Sequence, residues 1–414
     1  MKTITISKER LSKQISRLGE IGKTADDGVQ RLALSKEDRE AMLLVTEWMK
    51  EAGLTVTHDH FGNLIGRKEG QNPNLPPVMI GSHIDSVRNG GKFDGTIGVL
   101  AGIEIVRAIS DTEVQHQHPI EVVAFCEEEG SRFNDGLFGS RGMVGKVTED
   151  DLQKVDDDNI TRFNALQNFG FGIDPEQREK SVRKLGDIQY YFELHIEQGP
   201  FLEKNVFPVG IVSGIAGPCW LKVRLTGEAG HAGTVPMSLR KDPLMGASEV
   251  MLEVERLCGQ DPDAPTVGTV GRIMAFPGGS NIIPESVEFT MDIRDIDLER
   301  RNSIIQKIAE KLNLVCKSRN LEVEIERNVD VVPVQCSEHL IQSLQESCKS
   351  VGVEAPVMVS GAGHDAMLLA EITEIGMVFV RCRGGISHQP KEWADIEDIA
   401  IGTQVLYETV LKHI

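Results

Sequence analysis

Histidines and aspartates follow short apolar runs at separate places in the sequence. His83 comes directly after VMIGS, with Asp85 and Asp94 close behind it, and His195 follows YYFEL. Charged groups beside buried strands are costly unless they are paired or bind a metal. Imidazoles and carboxylates without a thiolate are typical ligands of zinc, manganese, cobalt or nickel. The pattern therefore indicates a site for divalent metal ions.

Two further groups of the same kind lie elsewhere in the chain. Glu127, Glu128 and Glu129 come shortly after IEVVAF, and His388 follows MVFVRCRGGIS. Ligand sites of open α/β sheets gather at the carboxyl ends of the strands, so we expect these side chains to converge. Two plainer readings stay open. A histidine at a strand end can be an ordinary polar residue, and three consecutive glutamates can be a solvated charge run.

Two aspartates are candidates for supporting roles in such a site. Asp94 is suited to bridge two ions, because neighbouring glycines allow the backbone to approach closely and one carboxylate can hold ions about 3.5–4 Å apart. Asp85, two residues after His83, is expected to orient that imidazole. A helix cap is the alternative role of Asp85.

These residues must be positioned by strands of one sheet. Apolar strands alternate with helices in residues 1–212 and again in 333–414, which predicts an α/β catalytic domain with a mixed, largely parallel sheet flanked by helices. Residues 213–332 have the order strand, helix, strand, strand, helix, strand, which predicts a smaller ferredoxin-like α+β domain interrupting the first. A chain of 414 residues is long enough for two domains. No element is predicted for the acidic, polar residues 146–187.

The composition argues against several classes of partner. The formal net charge of −19 disfavours nucleic acids and anionic membranes. No apolar run is long enough for a membrane helix, and MKTITISKERLSKQ lacks the apolar core of a secretory signal. The seven scattered cysteines, without a CxxC pair, favour free thiols and hence a cytoplasmic location. Nucleotide-binding glycine motifs and a GxSxG nucleophile elbow are also missing.

The sequence resembles the di-metal aminoacylase/carboxypeptidase superfamily in five motifs that span nearly the whole chain. They are GSHIDSVRNGGKFDG, EEEGSRF, ELHIEQGP, GHAGTVPMSLRKDP, and SGAGHDA with SHQPKEW. More narrowly, they are similar to its amidohydrolase branch of N-carbamoyl-L-amino-acid hydrolases, β-ureidopropionases and allantoate amidohydrolases. The resemblance implies two divalent metal ions per subunit, with zinc, manganese, cobalt and nickel left open, and a small ureido acid as substrate.

The resemblance also implies a role for each metal-site residue. His83 and His195 would hold one ion, Glu129 and His388 the other, and Asp94 would bridge them.

The general base is expected to be Glu128, because the family's base and ligand adjoin the glycine of EEG[AS]RF. The triple glutamate leaves a second register open, in which Glu127 is the base and Glu128 the ligand.

The 213–332 domain resembles the family's lid and dimerisation domain, which implies a homodimer. His231 would reach the substrate, commonly from the neighbouring subunit, and help to hold the oxyanion. Asn281 and Arg294 match contacts to the substrate carboxylate, and Gln198 with the backbone of Gly363 would complete the pocket.

The residues alone leave plainer alternatives for three of these contacts. Arg294 could pair with Asp292 or Asp295, His231 could be a loop histidine, and Asn281 a turn residue.

The predicted reaction is hydrolysis of the terminal ureido C–N bond of N-carbamoyl-L-amino acids to the L-amino acid, carbon dioxide and ammonia. Allantoate is the alternative substrate, because it also carries a carboxylate and a ureido group. β-Ureidopropionase, N-acyl-amino-acid deacylase and peptidase activities are weaker options. A catalytically silent relative would be favoured by a missing ligand, but every ligand position and the base are filled.

Overall fold

The computed structural model describes residues 5–414, which form two units. The first unit comprises the chain up to Ser213 together with Cys336–Met358 and His364–Ile414, and the second comprises Gly214–Gln335 and Val359–Gly363. Each unit has its own hydrophobic core. The roles of the two units as catalytic domain and lid, and the boundaries expected from the sequence, stay predictions.

The described chain contains fifteen strands, twelve α-helices and three short 3₁₀ helices. Numbered in chain order, the strands are β1 Thr55–His58, β2 Leu64–Lys68, β3 Val78–His83, β4 Ile120–Phe125, β5 Tyr190–Ile196, β6 Val209–Ile215, β7 Gly217–Thr226, β8 Gly230–His231, β9 Val267–Phe276, β10 Ile282–Ile283, β11 Ser286–Asp295, β12 Glu322–Asp330, β13 Val334–Gln335, β14 Val357–Ser360 and β15 Glu374–Val380. The helices are α1 Lys8–Gly19, α2 Lys36–Glu51, α3 Thr96–Asp111, α4 Phe138–Met143, α5 Glu149–Gln153, α6 Arg162–Asn168, α7 Phe201–Lys204, α8 Pro243–Cys258, α9 Leu298–Arg319, α10 Glu338–Val351, α11 Ala366–Leu369 and α12 Ile396–Val410.

The first unit is built on a mixed sheet whose four central strands are parallel. The order is β1-β2-β4-β3-β5-β15-β6, with β14 beside β6, and the end of β6 pairs with β13. β4, β3, β5 and β15 run parallel, whereas β1, β2 and β6 pair antiparallel. This arrangement confirms the predicted fold class.

The central strands are apolar throughout because both faces of the sheet are covered. VMIGSH of β3 and IEVVAF of β4 are buried at every position, which is typical of parallel strands between helices. His83 pairs with Phe125 and His195 with Phe379. Both histidines therefore lie at the carboxyl edge of the sheet, where the sequence predicts them.

Helix α3 starts beside the end of β3, and Gly95 makes this approach possible. Gly95 has a φ of 61°, and a Cβ atom there would lie 2.3 Å from the His83 imidazole. Only glycine combines the left-handed backbone with that contact. Gly95, next to Asp94, thus serves the close packing of helix against strand.

The second unit contains a four-stranded antiparallel sheet in the order β12-β7-β11-β9. Helices α8 and α9 pack against it, and their apolar residues share a core with the buried positions of β7 and β11. Buried and more exposed residues alternate along both strands, as expected when one face of a sheet is covered. The predicted βαββαβ order is confirmed, with the short β8–β10 pair added.

Within residues 5–414, no helix is both long and apolar enough to cross a membrane. The seven cysteines are all buried and free.

Candidate metal centre

Two groups of possible metal ligands meet at the carboxyl edge of the first unit's sheet. One group is His83, Asp94 and His195, and the other is Asp94, Glu129 and His388. Within each group the ligand atoms lie within 4.8 Å of one another. Asp94 is the shared member.

Asp94 turns one carboxylate oxygen toward each group. Its Oδ1 lies 3.0 Å from Nε2 of His195 and 3.8 Å from Nε2 of His83, while its Oδ2 lies 3.2 Å from Nε2 of His388. A carboxylate that presents its two oxygens to different ligand sets has the geometry of a bridge between two ions. The bridging role of Asp94 itself stays a prediction.

Glu129 provides a test of whether these residues fit a cation. Its Oε2 lies 3.6 Å from Nε2 of His388, but its Oε1 is buried without a hydrogen-bond partner. Burial, followed by the charge of Asp94, raises the pKa of Glu129 to about 7. A buried carboxylate oxygen without a donor calls for an explanation, and a cation supplies one. These imidazole and carboxylate side chains therefore fit a divalent metal ion.

The three consecutive glutamates have different surroundings. Oε2 of Glu128 lies 3.7 Å from Nε2 of His83. Burial raises the pKa of Glu128 well above its usual range, against the attraction of the His83 imidazole. Glu127, by contrast, is fully buried in an ion pair with Arg162. These positions favour Glu128 and Glu129 over Glu127 and Glu128 as base and ligand, although the roles themselves stay predictions.

Backbone carbonyls orient two of the imidazoles. Nδ1 of His83 lies 3.0 Å from the carbonyl oxygen of Asp85, and Nδ1 of His195 lies 2.9 Å from that of Ile196. A hydrogen bond at Nδ1 selects the tautomer whose Nε2 is free to bind a metal. Both Nε2 atoms face the cluster.

The side chain of Asp85 supports the glutamates more directly than it supports His83. Its two oxygens accept hydrogen bonds from the backbone N–H groups of Glu128 and Glu129, each at 3.2 Å. The carboxylate is 3.6 Å from Nδ1 of His83. Asp85 thus links the end of β3 to the turn that follows β4.

Two residues that the sequence analysis missed hold Asp94. Oε1 of Glu392 accepts the N–H groups of Phe93 and Asp94 at 2.9 and 3.1 Å, and the hydroxyl of Ser387 donates to Oδ2 of Asp94 at 2.9 Å. The position of Ser387 next to His388 was a usable signal. Glu392 also lies within the SHQPKEW motif, but nothing local linked it to the backbone N–H groups of Phe93 and Asp94.

Glu193 is a further buried carboxylate that the sequence analysis missed. It accepts hydrogen bonds from the hydroxyls of Ser82 at 2.7 Å and Tyr191 at 3.1 Å. Together with His195 and His364 it forms a third group that could hold a metal, but these donors already satisfy its oxygens. Its signal was its place two residues before His195, on the same face of β5.

Gln198 contacts two of the candidate metal ligands. Its side-chain amide donates to Oδ2 of Asp94 at 2.8 Å and lies 3.2 Å from Nε2 of His388. Gln198 and His388 have φ values of 56° and 58°. Left-handed backbone is costly for residues other than glycine and is concentrated at functional sites. The predicted role of Gln198 in substrate binding stays open.

The other predicted substrate contacts belong to the second unit. His231 pairs with Ile282 across the β8–β10 ladder, and the N–H of Ala232 donates to the carbonyl of Asn281 at 2.9 Å. His231 and Asn281 therefore lie on neighbouring chain segments. Gly363 ends the 359–363 segment of the same unit.

Arg294 forms the ion pair with Asp292 that the sequence left open. Its Nε and Nη2 donate to the Asp292 carboxylate at 2.7–3.1 Å, and its Nη1 donates to the carbonyl of Gly361 at 2.8 Å. The alternative pair with Asp295 does not form, because Asp295 is bound by Arg300.

Comparison with known proteins gives the family. The sequence profile of peptidase family M20/M25/M40 matches residues 79–412, which include all five candidate metal ligands. The chain belongs to this family. This match and the relatives described next confirm the predicted superfamily and branch.

Close relatives and solved structures extend over nearly the whole chain. An N-carbamoyl-L-amino-acid amidohydrolase of Pseudomonas sp. (strain NS671) is 76% identical over 414 residues, and the match covers 100% of both chains. An allantoate deiminase of Arabidopsis thaliana is 37% identical, covering 95% of this chain and 80% of the relative. The crystal structure of an amidase of the hydantoinase/carbamoylase family from Burkholderia multivorans has a TM-score of 0.94 at 36% identity, covering 99% and 98% of the two chains.

Proposed function

We propose that this protein is a metal-dependent amidohydrolase that converts N-carbamoyl-L-amino acids to L-amino acids, carbon dioxide and ammonia. The observation that carries the hydrolytic part is the Asp94 carboxylate between two ligand groups, with Glu128 beside one of them. The substrate class is supported by the 76% identical relative that bears this name.

The proposed centre contains two divalent ions. His83 and His195 would hold one ion, Glu129 and His388 the other, and Asp94 both. When bound, the ions would polarise the ureido carbonyl and lower the pKa of the attacking water. Zinc, manganese, cobalt and nickel all suit imidazole and carboxylate ligands.

Glu128 is the proposed general base. Its carboxylate would take a proton from the attacking water and pass it to the departing nitrogen. Its burial, which raises its pKa, suits it to hold the proton between these two transfers. Cleavage of the terminal ureido C–N bond releases ammonia. Loss of carbon dioxide from the resulting carbamate then releases the amino acid. Asp85 would keep Glu128 in place through the backbone hydrogen bond described above.

Arg294 is the proposed partner of the substrate carboxylate, with Asn281 and His231 as further contacts. A guanidinium has five N–H donors in a planar fork that suits carboxylates. Asp292 engages Nε and one N–H of Nη2, and Gly361 engages one N–H of Nη1. One N–H on each terminal nitrogen is left, which is enough for a bidentate contact. His231 would stabilise the oxygen on which charge develops.

We also propose that the protein is a homodimer associating through the second unit. The sheet of this unit ends at β9, where apolar side chains are exposed, including Val267, Ile273 and Phe276. The other edge, β12, carries mainly charged side chains in EVEIER. Charges protect an edge strand from pairing, whereas exposed apolar edges invite it. β9 is therefore the favoured edge for association.

A cytoplasmic location is proposed as well, and it is supported by the seven free cysteines, because disulfides are rare in that compartment.

Allantoate is the second candidate substrate, favoured by the Arabidopsis relative named allantoate deiminase. Ammonia release from purified, manganese-loaded protein should be measured with allantoate and with N-carbamoyl-L- and N-carbamoyl-D-amino acids. We expect the highest kcat/KM with an N-carbamoyl-L-amino acid and little with its D enantiomer. If only allantoate is turned over, allantoate takes the place of N-carbamoyl-L-amino acids as the proposed substrate. If neither class of compound yields ammonia, the proposed function is refuted.

A further inference from the structure

Arg162 and Glu127 form an ion pair directly beneath the turn that carries Glu128 and Glu129. Both side chains have an exposed fraction of 0%, and Nε of Arg162 lies 2.9 Å from Oε2 of Glu127. The other oxygen of Glu127 accepts the backbone N–H of Phe133 at 3.1 Å. Both carboxylate oxygens of Glu127 are therefore engaged away from the candidate metal ligands.

Arg162 is held on every side. Its Nη1 donates to the carbonyl of Asp151 at 2.9 Å, and its Nη2 donates to the carbonyl of Asp135 at 3.1 Å. Its guanidinium carbon lies 5.0 Å from the ring centre of Phe133 and 4.4 Å from that of Phe138. The planar fork of arginine suits such a combination of hydrogen bonds and stacking, which lysine cannot reproduce.

The turn above this pair has a strained backbone. Glu127 has a φ of 56°, in the left-handed region that residues other than glycine avoid. Such a conformation persists only where the surroundings impose it. The Asp85 carboxylate holds the next two backbone N–H groups, and the Arg162 ion pair holds the side chain of Glu127. Arg162 thus holds the turn at Glu127, and Asp85 holds it at the two residues that follow.

We propose that Arg162 is a positioning residue that, through Glu127, fixes the turn presenting Glu128 to the reaction. Arg162 is the first residue of α6, within the 146–187 segment for which the sequence predicts no element. This segment then has a defined structural role, because its Arg162 anchors the turn. The effect on turnover rests on the proposed function, whereas the anchoring of the turn does not.

The test separates anchoring of the turn from ordinary structural support. The variants are Arg162→Met, Glu127→Gln and the double variant, with Glu104→Gln as matched control. Glu104 is also buried and paired with an arginine, at 2.6 Å from Arg10, but it lies outside the turn. Hydrogen exchange of residues 126–139, metal content, thermal stability and steady-state kinetics are measured on the full chain.

We expect Arg162→Met to accelerate exchange in residues 126–139 and to lower kcat by about 10-fold to 100-fold, since small misplacements of catalytic groups have effects of this size. KM should change little. The double variant should recover thermal stability, because no buried charge is left unpaired, but not kcat. Glu104→Gln should lose stability while keeping the wild-type exchange of this segment and the wild-type kcat.

Two results would overturn the proposal: wild-type exchange in residues 126–139 of Arg162→Met, or wild-type kcat in the double variant. If Arg162→Met does not fold, Arg162→Lys takes its place, because lysine keeps the charge without the planar fork. It is judged by its hydrogen exchange in residues 126–139 and by its kcat. Faster exchange together with full activity of Glu128→Gln would support the anchoring of the turn and refute the assigned base.

Discussion

Oε2 of Glu128 lies 3.7 Å from Nε2 of His83, so the proposed base borders a proposed metal ligand. Replacing Glu128 by glutamine removes the proton acceptor while keeping the shape of the side chain. We expect Glu128→Gln to retain wild-type metal content and to lose about 10²-fold to 10⁴-fold in kcat, the usual contribution of a general base. Ammonia release and elemental analysis measure the two quantities. Glu346→Gln, at an exposed ion pair, is the control, and turnover close to wild type in Glu128→Gln would reject the assignment.

The shared position of Asp94 predicts a difference between two metal-site variants. Asp94→Asn should weaken binding of both ions, because each carboxylate oxygen faces one ligand group. Glu129→Gln should weaken only one ion, since Glu129 belongs to a single group. Titration of the metal-free variants with manganese, followed by calorimetry, gives the number of sites. Equal stoichiometry in the two variants would be incompatible with a bridging Asp94.

Arg294 should govern affinity for substrates with a carboxylate. Lysine keeps the charge but loses the fork that can hold both carboxylate oxygens. We expect Arg294→Lys to raise KM for an N-carbamoyl-L-amino acid by about 10-fold, which corresponds to about 1.4 kcal/mol. Arg224→Lys, on the neighbouring strand β7, should leave KM unchanged. An unaltered KM in Arg294→Lys would exclude the proposed contact.

The pKa of Asp38 predicts a pH dependence of stability. Burial raises the pKa of Asp38 from 3.8 to about 7, and its Oδ1 is buried without a hydrogen-bond partner. Between these values the folded state binds more protons than the unfolded state, so the contribution of Asp38 to stability falls as pH rises from about 4 to about 7.

Asp38→Asn should remove this contribution to the pH dependence. Relative to wild type, the variant should gain melting temperature between pH 4.5 and pH 7.5, with the free-energy change on the order of 1.4 kcal/mol per pKa unit. Thermal denaturation across this range measures the effect, with the exposed Asp26→Asn as control. A constant difference in melting temperature between Asp38→Asn and wild type would contradict the shifted pKa.

The exposed edge strand β9 predicts how the proposed dimer can be broken. A charge in place of Ile273 should oppose association, because it would have to be buried without a partner. We expect Ile273→Glu to shift the molar mass in solution from dimer to monomer, measured by light scattering during size exclusion. Ile325→Glu, on the opposite edge strand β12, should leave the mass unchanged. A monomeric wild type would refute the dimer at once.

The sequence by itself was sufficient to predict the class of fold and the types of residue that gather at the edge of its sheet. Buried parallel strands need continuous apolar runs, so β3 and β4 were visible as VMIGSH and IEVVAF. The polar residue that ends such a run must lie at the edge of the sheet, which made His83 and His195 recognisable. These are local properties, since they depend on composition and period over a few residues.

Only the tertiary structure decided the different surroundings of the neighbouring acids. Glu127 is set apart from Glu128 and Glu129 by Arg162, which is 35 residues away in the chain, and Asp94 is held by Glu392, which is 298 residues away. The three identical side chains in a row left two registers open, and only the resemblance to the family favoured one of them. The physical reason is that burial, hydrogen-bond partners and neighbouring charge set the state of a carboxylate, and the folded chain supplies all three from distant segments.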